Sequence, residues 1–144
     1  MALVEDHDLT RVGIRKGLLQ SSEIQLVGEA VNATEGLRML LTAQPDIAII
    51  DIGLPDQDGI ELTRQLKSTQ ATGLGLKTKV LILTLRDRKE TVVATLAAGA
   101  DSYCMKNISL DNLLEALRVT YSGNAWIDPA IASILRAQPN YEQN

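Results

Sequence analysis

Ile47-Ala48-Ile49-Ile50-Asp51-Ile52-Gly53-Leu54-Pro55-Asp56-Gln57-Asp58-Gly59 is the stretch that decides how this chain folds. Four apolar residues without polar alternation read as a strand buried on both faces, the pattern of a parallel sheet covered by helices on each side. A carboxylate closes the run at Asp51, and Gly53, Pro55 and Gly59 force the chain to turn at once. Three more apolar runs end the same way: Ala2-Leu3-Val4 before Glu5-Asp6, Val80-Leu81-Ile82-Leu83 before Thr84, and Tyr103-Cys104-Met105 before Lys106. As neighbouring parallel strands they bring three carboxylates, a hydroxyl and an ammonium to one rim of the sheet, where open α/β sheets place their ligands.

Outward from these runs, strand and helix patterns alternate along the whole chain, which predicts α/β architecture with right-handed crossovers. Strands are expected near 2–5, 24–31, 46–51, 79–84 and 101–104. Asn32 with Glu35 resembles a capping box, and so does Asp87 with Glu90. Ser109 is placed to cap a helix carrying Leu110, Leu113, Leu114 and Leu117 on one stripe. Helices near 8–21 and 58–69 complete a set of five, and His7 reads as a helix-start residue. Residues 70–78 contain two glycines and no period, so they read as an exposed loop. After a stop at Ser122-Gly123-Asn124, Trp126 is expected to anchor the chain, and Asp128-Pro129 opens a short sixth helix with Ile131, Ile134 and Leu135 on one side. The expected division is a single domain over 1–125 and an extension over 126–144 whose tail, from 138, has little to bury.

The 144 residues are 45% hydrophobic and 22% charged, ordinary for one globular domain with a real core. A net charge of −4 and the lack of a basic run argue against binding nucleic acid through this chain. The single Cys104, in an apolar run, makes no intrachain disulfide and suits a reducing cytoplasm as a small buried hydrophobe. No apolar stretch approaches the roughly 20 residues of a membrane span, and the N-terminus lacks a signal-peptide pattern, so a soluble, cytoplasmic protein is expected.

Carboxylates converging at the ends of buried strands are costly without a partner. Like charges about 4 Å apart at an effective dielectric near 20 repel by roughly 4 kcal/mol, so Glu5, Asp6 and Asp51 imply a cation. Mg²⁺ fits, since it takes oxygen ligands and often bridges carboxylates to phosphate. Asp6 and Asp51 are candidates for direct ligation, Glu5 for ligation through water, and the carbonyl of Gly53 for a further oxygen. Asp51 at an exposed strand tip is placed as a nucleophile toward a phosphoryl group. Lys106 offers a compact charge for phosphoryl oxygens, and Thr84 a hydroxyl to hydrogen-bond one. Tyr103, three residues before Lys106, is a candidate to move between exposed and buried positions. His7 cannot build a zinc site, because no other histidine exists.

With these residues in order, the chain resembles the receiver domain of bacterial two-component response regulators, of the NarL/FixJ type. The resemblance rests on Glu5-Asp6, the segment Asp51 to Gly59, Thr84, Tyr103 and Lys106, with Tyr103 and Lys106 falling 19 and 22 positions after Thr84. Val-Gly-Glu-Ala-Val at 27–31 and Trp126-Ile127-Asp128-Pro129 support the subtype, while Asn107 stands where many receivers have proline. The resemblance implies a flavodoxin-like (CheY-like) doubly wound sheet of five strands in the order 2-1-3-4-5. It also implies phosphorylation of Asp51 by a sensor histidine kinase with Mg²⁺, catalysed by the domain itself. Thr84 and Tyr103 would then act as switch residues, and homodimers would form on phosphorylation. In full-length relatives a LuxR-type DNA-binding output domain usually follows, so the expected end of the signal is transcription. Two rivals share the residues. One is a stand-alone or phosphorylation-independent interaction module of the same fold; the other is a phosphatase, which would need a second acid where this chain has Gly53.

Overall fold

The computed structural model describes residues 1–71 and 77–136. Five strands, β1 (Ala2–Val4), β2 (Gly28–Ala30), β3 (Ile47–Ile50), β4 (Lys79–Thr84) and β5 (Ser102–Met105), form one sheet in the order β2-β1-β3-β4-β5. Every pairing is parallel. Between and after the strands run α1 (Asp8–Leu19), α2 (Ala33–Ala43), α3 (Gly59–Ala71), α4 (Lys89–Ala97), α5 (Leu110–Tyr121) and α6 (Pro129–Arg136). Both the doubly wound class and the strand order match the expectation from the sequence.

Alternation along the strands divides the core in two. Val4, Ala48, Ile50, Val80, Ile82 and Tyr103 share one cluster with Leu40, Leu62, Val92 and Ile131 from α2, α3, α4 and α6. Leu3, Ile49, Leu81, Leu83 and Cys104 share the other with Leu18 of α1 and Leu113 and Leu117 of α5. The central runs read as doubly buried because helices cover both faces. No helix among the described residues is long and apolar enough to cross a membrane.

Local signals set most helix starts. The His7 ring accepts from the Thr10 amide, Asn32 caps Glu35, and Ser109 caps Asn112. At α4 the expected Asp87–Glu90 box does not form. The helix begins one residue later, with Arg88 at the N-cap and no side-chain cap bond, which leaves Asp87 outside the turn it would need to reach. β2 is also shorter than the apolar run around it. Only Gly28–Ala30 pair with β1, while Ile24 closes a turn onto Ser21. α1 stops at Leu19, and α3 extends to Ala71, so residues 70 and 71 are helical rather than loop. Of the expected 70–78 loop, 72–76 lie outside the described residues, as does the tail from 137.

Candidate functional site

Register brings the pocket together. Val4 pairs with Ile50, so Glu5 and Asp51, the next residues, leave the sheet side by side, and the Asp51 amide donates to the Val4 carbonyl at 3.0 Å. Thr84 pairs with Met105, and the Lys106 amide donates to the Thr84 carbonyl at 2.8 Å. The ends of four strands, β1, β3, β4 and β5, thus lie along one rim, with Asp6 following Glu5 at the more open side of the pocket. Glu5, Asp6 and Asp51 each present a carboxylate oxygen within 4.8 Å of the others.

Lys106 holds two of these acids together. Its Nζ lies 2.9 Å from Glu5 Oε1 and 3.2 Å from Asp51 Oδ2, with the lysine side chain 14% exposed and Glu5 1%. Burial alone would lower the ammonium pKa, but hydrogen bonds and attraction from Glu5 and Asp51 outweigh it and hold the pKa above the ordinary value. Burial pushes the Glu5 pKa up, opposed by Lys106 and by the His7 amide, which donates to Glu5 Oε2 at 3.0 Å. One ammonium is thus paired with two of the three clustered acids, and the charge deficit makes this donor set suited to a hard divalent cation.

The loop behind Asp51 is shaped by Gly59. A side chain there would collide with the Asp51 carbonyl and lie 2.8 Å from Ile52 Cα. The Gly59 amide instead donates to the Ile52 carbonyl at 2.8 Å, folding the chain back beneath the carboxylate. Gly53 flanks the pocket: a Cβ on it would be 3.8 Å from Asp51 Oδ2 and 3.7 Å from an Arg86 guanidinium nitrogen.

Thr84 and Tyr103 meet through one residue. Thr84 Oγ1 accepts the Arg86 amide at 3.1 Å, and the Tyr103 hydroxyl donates to the Arg86 carbonyl at 2.6 Å. That use of the amide leaves the threonine hydrogen for a separate acceptor. The Tyr103 ring is fully buried, and burial raises its hydroxyl pKa to about 12. Here the tyrosine is inward and internally bonded, not held with its hydroxyl in water.

Sequence reasoning did not single out Arg86, Asp56 or Asp58. Arg86 Nη1 lies 3.6 Å from Asp58 Oδ2 beside Gly53. Asp56 accepts the amides of Ala33 and Thr34 at 2.8 and 2.9 Å, and the Thr34 hydroxyl, tying the β3–α3 loop to the start of α2. The only local signal for either acid was its place in the glycine- and proline-rich loop; the partner elements lie more than twenty residues away in sequence. Cys104 is buried, its thiol pKa pushed up to about 12 by burial, which leaves it unsuited to redox chemistry.

A five-stranded sheet in this order with an acidic pocket at its carboxyl rim defines a class, and the sequence falls within it: residues 1–118 match the response regulator receiver domain, and the chain belongs to that family. It is similar to the nitrate/nitrite response regulator NarL of Escherichia coli strain K12, 27% identical over 135 residues that cover 94% of this chain and 60% of NarL. It is also similar to the response regulator VraR of Staphylococcus aureus, 32% identical across 92% of this chain and 61% of VraR. A crystal structure of a LuxR-family two-component response regulator from Aurantimonas sp. SI85-9A1 superposes with a TM-score of 0.83 at 28% identity, covering 96% of both chains. These likenesses place the chain with receivers of the NarL and LuxR type, and it spans about 60% of the length of those curated relatives.

Proposed function

We propose that this domain is a phosphorylation switch in which Asp51 takes a phosphoryl group from a phosphohistidine of a sensor histidine kinase. The observation that carries the reading is Lys106 Nζ set between Glu5 and Asp51, with Thr84 on the adjoining strand end. An Asp51 oxygen attacks phosphorus as the phosphorus–nitrogen bond of the donor breaks, giving a carboxyl phosphate while the imidazole nitrogen regains a proton. Lys106 then turns from its carboxylate partners to a phosphoryl oxygen, and the Thr84 hydroxyl donates to another. Asp51, Asp6, Glu5 through water, and the Gly53 carbonyl would hold Mg²⁺. When bound, the ion offsets repulsion between the carboxylate and the incoming anion.

On this reading the chain has no substrate turnover beyond its own phosphorylation and dephosphorylation, and it works in the cytoplasm. Residues 1–125 form the receiver and 126–144 begin the extension. Phosphorylation would favour a homodimer and control a LuxR-type DNA-binding domain in the full-length protein. Acetyl phosphate with Mg²⁺ should label the native chain with hydroxylamine-sensitive phosphate, and Asp51→Asn should abolish the label. Normal labelling of that variant contradicts the assignment; a native chain that never labels would favour a module of the same fold working by protein contact alone.

A further inference from the structure

β3 carries an acid at each end. Asp46 precedes the strand as Asp51 follows it, so the two stand at opposite rims of the sheet. Beside Asp46 lies a cavity of about 480 Å³, walled by Ile24, Val27 and Ile47 and by Leu114, Leu117 and Tyr121 of α5. That volume falls in the range of small-ligand sites, which combine apolar walls with a few placed polar groups.

Three polar groups meet here. The Asp51 amide donates to the Val4 carbonyl; alternation along β3 then gives the Ile49 amide to Ala2 and directs the Ile47 amide one step further, past the first paired residue of β1 and into the cavity. A backbone donor on so buried a residue calls for an acceptor. Asp46 is the second group. Its carbonyl accepts the Lys79 amide at 2.9 Å, whereas its carboxylate accepts no hydrogen bond from a described residue and attracts the Met1 ammonium, which is itself on the Gln25 carbonyl at 2.9 Å. The third is Gln44, whose φ of +48° is left-handed backbone that a glycine would adopt without steric cost. Glutamine there sets a carboxamide at the cavity wall, and among the described residues that carboxamide too is in no hydrogen bond.

We propose that this cavity binds a small apolar ligand bearing a secondary amide, its carbonyl accepting from the Ile47 amide and its N–H donating to Asp46, with the apolar body against Leu114 and Leu117. Gln44 can serve either group of the ligand, since a carboxamide both donates and accepts. Charged ligands fit less well. Acids meet Asp46 and Glu23, amines meet the Met1 ammonium, and the Arg118 guanidinium at the wall is already paired with Glu23 at 3.0 Å. A free small amide and a short extended peptide share the required chemistry. The site stands apart from the reading of Asp51 as phosphoacceptor.

The test is a titration of the 144-residue chain, followed by amide chemical shifts, with N-methylhexanamide, with methyl hexanoate, which keeps the shape but lacks the N–H, and with the blocked tripeptide acetyl-Leu-Val-Leu-amide. N-methylhexanamide should move Ile47, Gln44 and Leu117 saturably and leave Thr84 and Lys106 in place. The ester should bind about tenfold more weakly, having lost one hydrogen bond to a charged group. Asp46→Ala should cost the amide a similar factor. Gln44→Gly relieves the left-handed backbone, so it should weaken binding while the thermal midpoint holds or rises, an outcome that a purely structural role for Gln44 does not give. Ala43→Trp, at an exposed position on the cavity wall, should block binding without disturbing the core. A tripeptide that binds tenfold or more tighter than N-methylhexanamide identifies the occupant as an extended peptide; one that binds no tighter identifies a free small amide. Equal binding of amide and ester, or no saturable shift at Ile47, would overturn the site.

Discussion

Lys106 is the residue on which the pocket's electrostatics turn. It neutralises Glu5 and Asp51 at 2.9 and 3.2 Å, and no other ammonium or guanidinium among the described residues is paired with them. Removing one member of a buried ion pair leaves an uncompensated charge, which costs about 3 kcal/mol or more. Lys106→Met should therefore lower the urea midpoint of the chain without added metal, by a shift equivalent to that free energy, and millimolar Mg²⁺ should restore part of the loss by binding the freed carboxylates. A midpoint that neither falls nor responds to Mg²⁺ would show that the acids are not a cation site. Gly59 acts through sterics alone. Gly59→Ala puts a methyl into the Asp51 carbonyl, an overpacking that costs about 3 kcal/mol, and it should cut acetyl phosphate labelling along with stability because the displaced strand tip carries Asp51. Unchanged labelling and melting in that variant would mean the loop accommodates a side chain without moving the carboxylate.

At the scale of elements, the joint between the β3–α3 loop and α2 is made by Asp56. Two backbone amides and the Thr34 hydroxyl hold its carboxylate pKa down to about 2 from an ordinary 3.8. A depressed acid contributes stability that is present above its unfolded pKa and disappears as pH falls through its folded one. The thermal midpoint of native protein relative to Asp56→Ala should accordingly be higher at pH 7 and converge between about pH 4 and pH 2. A gap that persists at pH 2 would place the effect elsewhere than in the charge. The same joint shows where sequence reading reaches its limit. Asn32, His7 and Ser109 were legible as caps because their bonds close within three residues; Asp56 caps amides of a helix 22 and 23 residues before it, and only the fold brings them together. The Asp87–Glu90 box had the right residue types but failed because α4 starts at Lys89, and end positions depend on how the preceding loop leaves the sheet.

For the molecule as a whole, the legible part was the row of polar residues at the ends of apolar runs. A parallel sheet with short strands fixes the register of Val4 against Ile50 and of Thr84 against Met105, so residues far apart in sequence had to meet at one rim. Asp51, Thr84 and Lys106 could be found that way because each ends its own run, and Glu5 and Asp6 because together they end the first. Arg86 could not: it sits in a loop with no apolar pattern, and its importance lies in backbone groups that any residue could supply. The return of Ile127 to the β5 edge was equally hidden, since a single bridge leaves no alternation to read, whereas the short helix after it was legible from Asp128-Pro129 and the one-sided Ile131, Ile134 and Leu135.

The most direct measurement is to locate the phosphoryl group chemically: native chain incubated with acetyl phosphate and Mg²⁺, reduced with borohydride so that an acyl phosphate becomes homoserine, then sequenced by tandem mass spectrometry. The account predicts homoserine at residue 51 and at no other aspartate, and none when Mg²⁺ is omitted. Homoserine at another acid, or none under conditions in which Mg²⁺ binds the pocket, would contradict it.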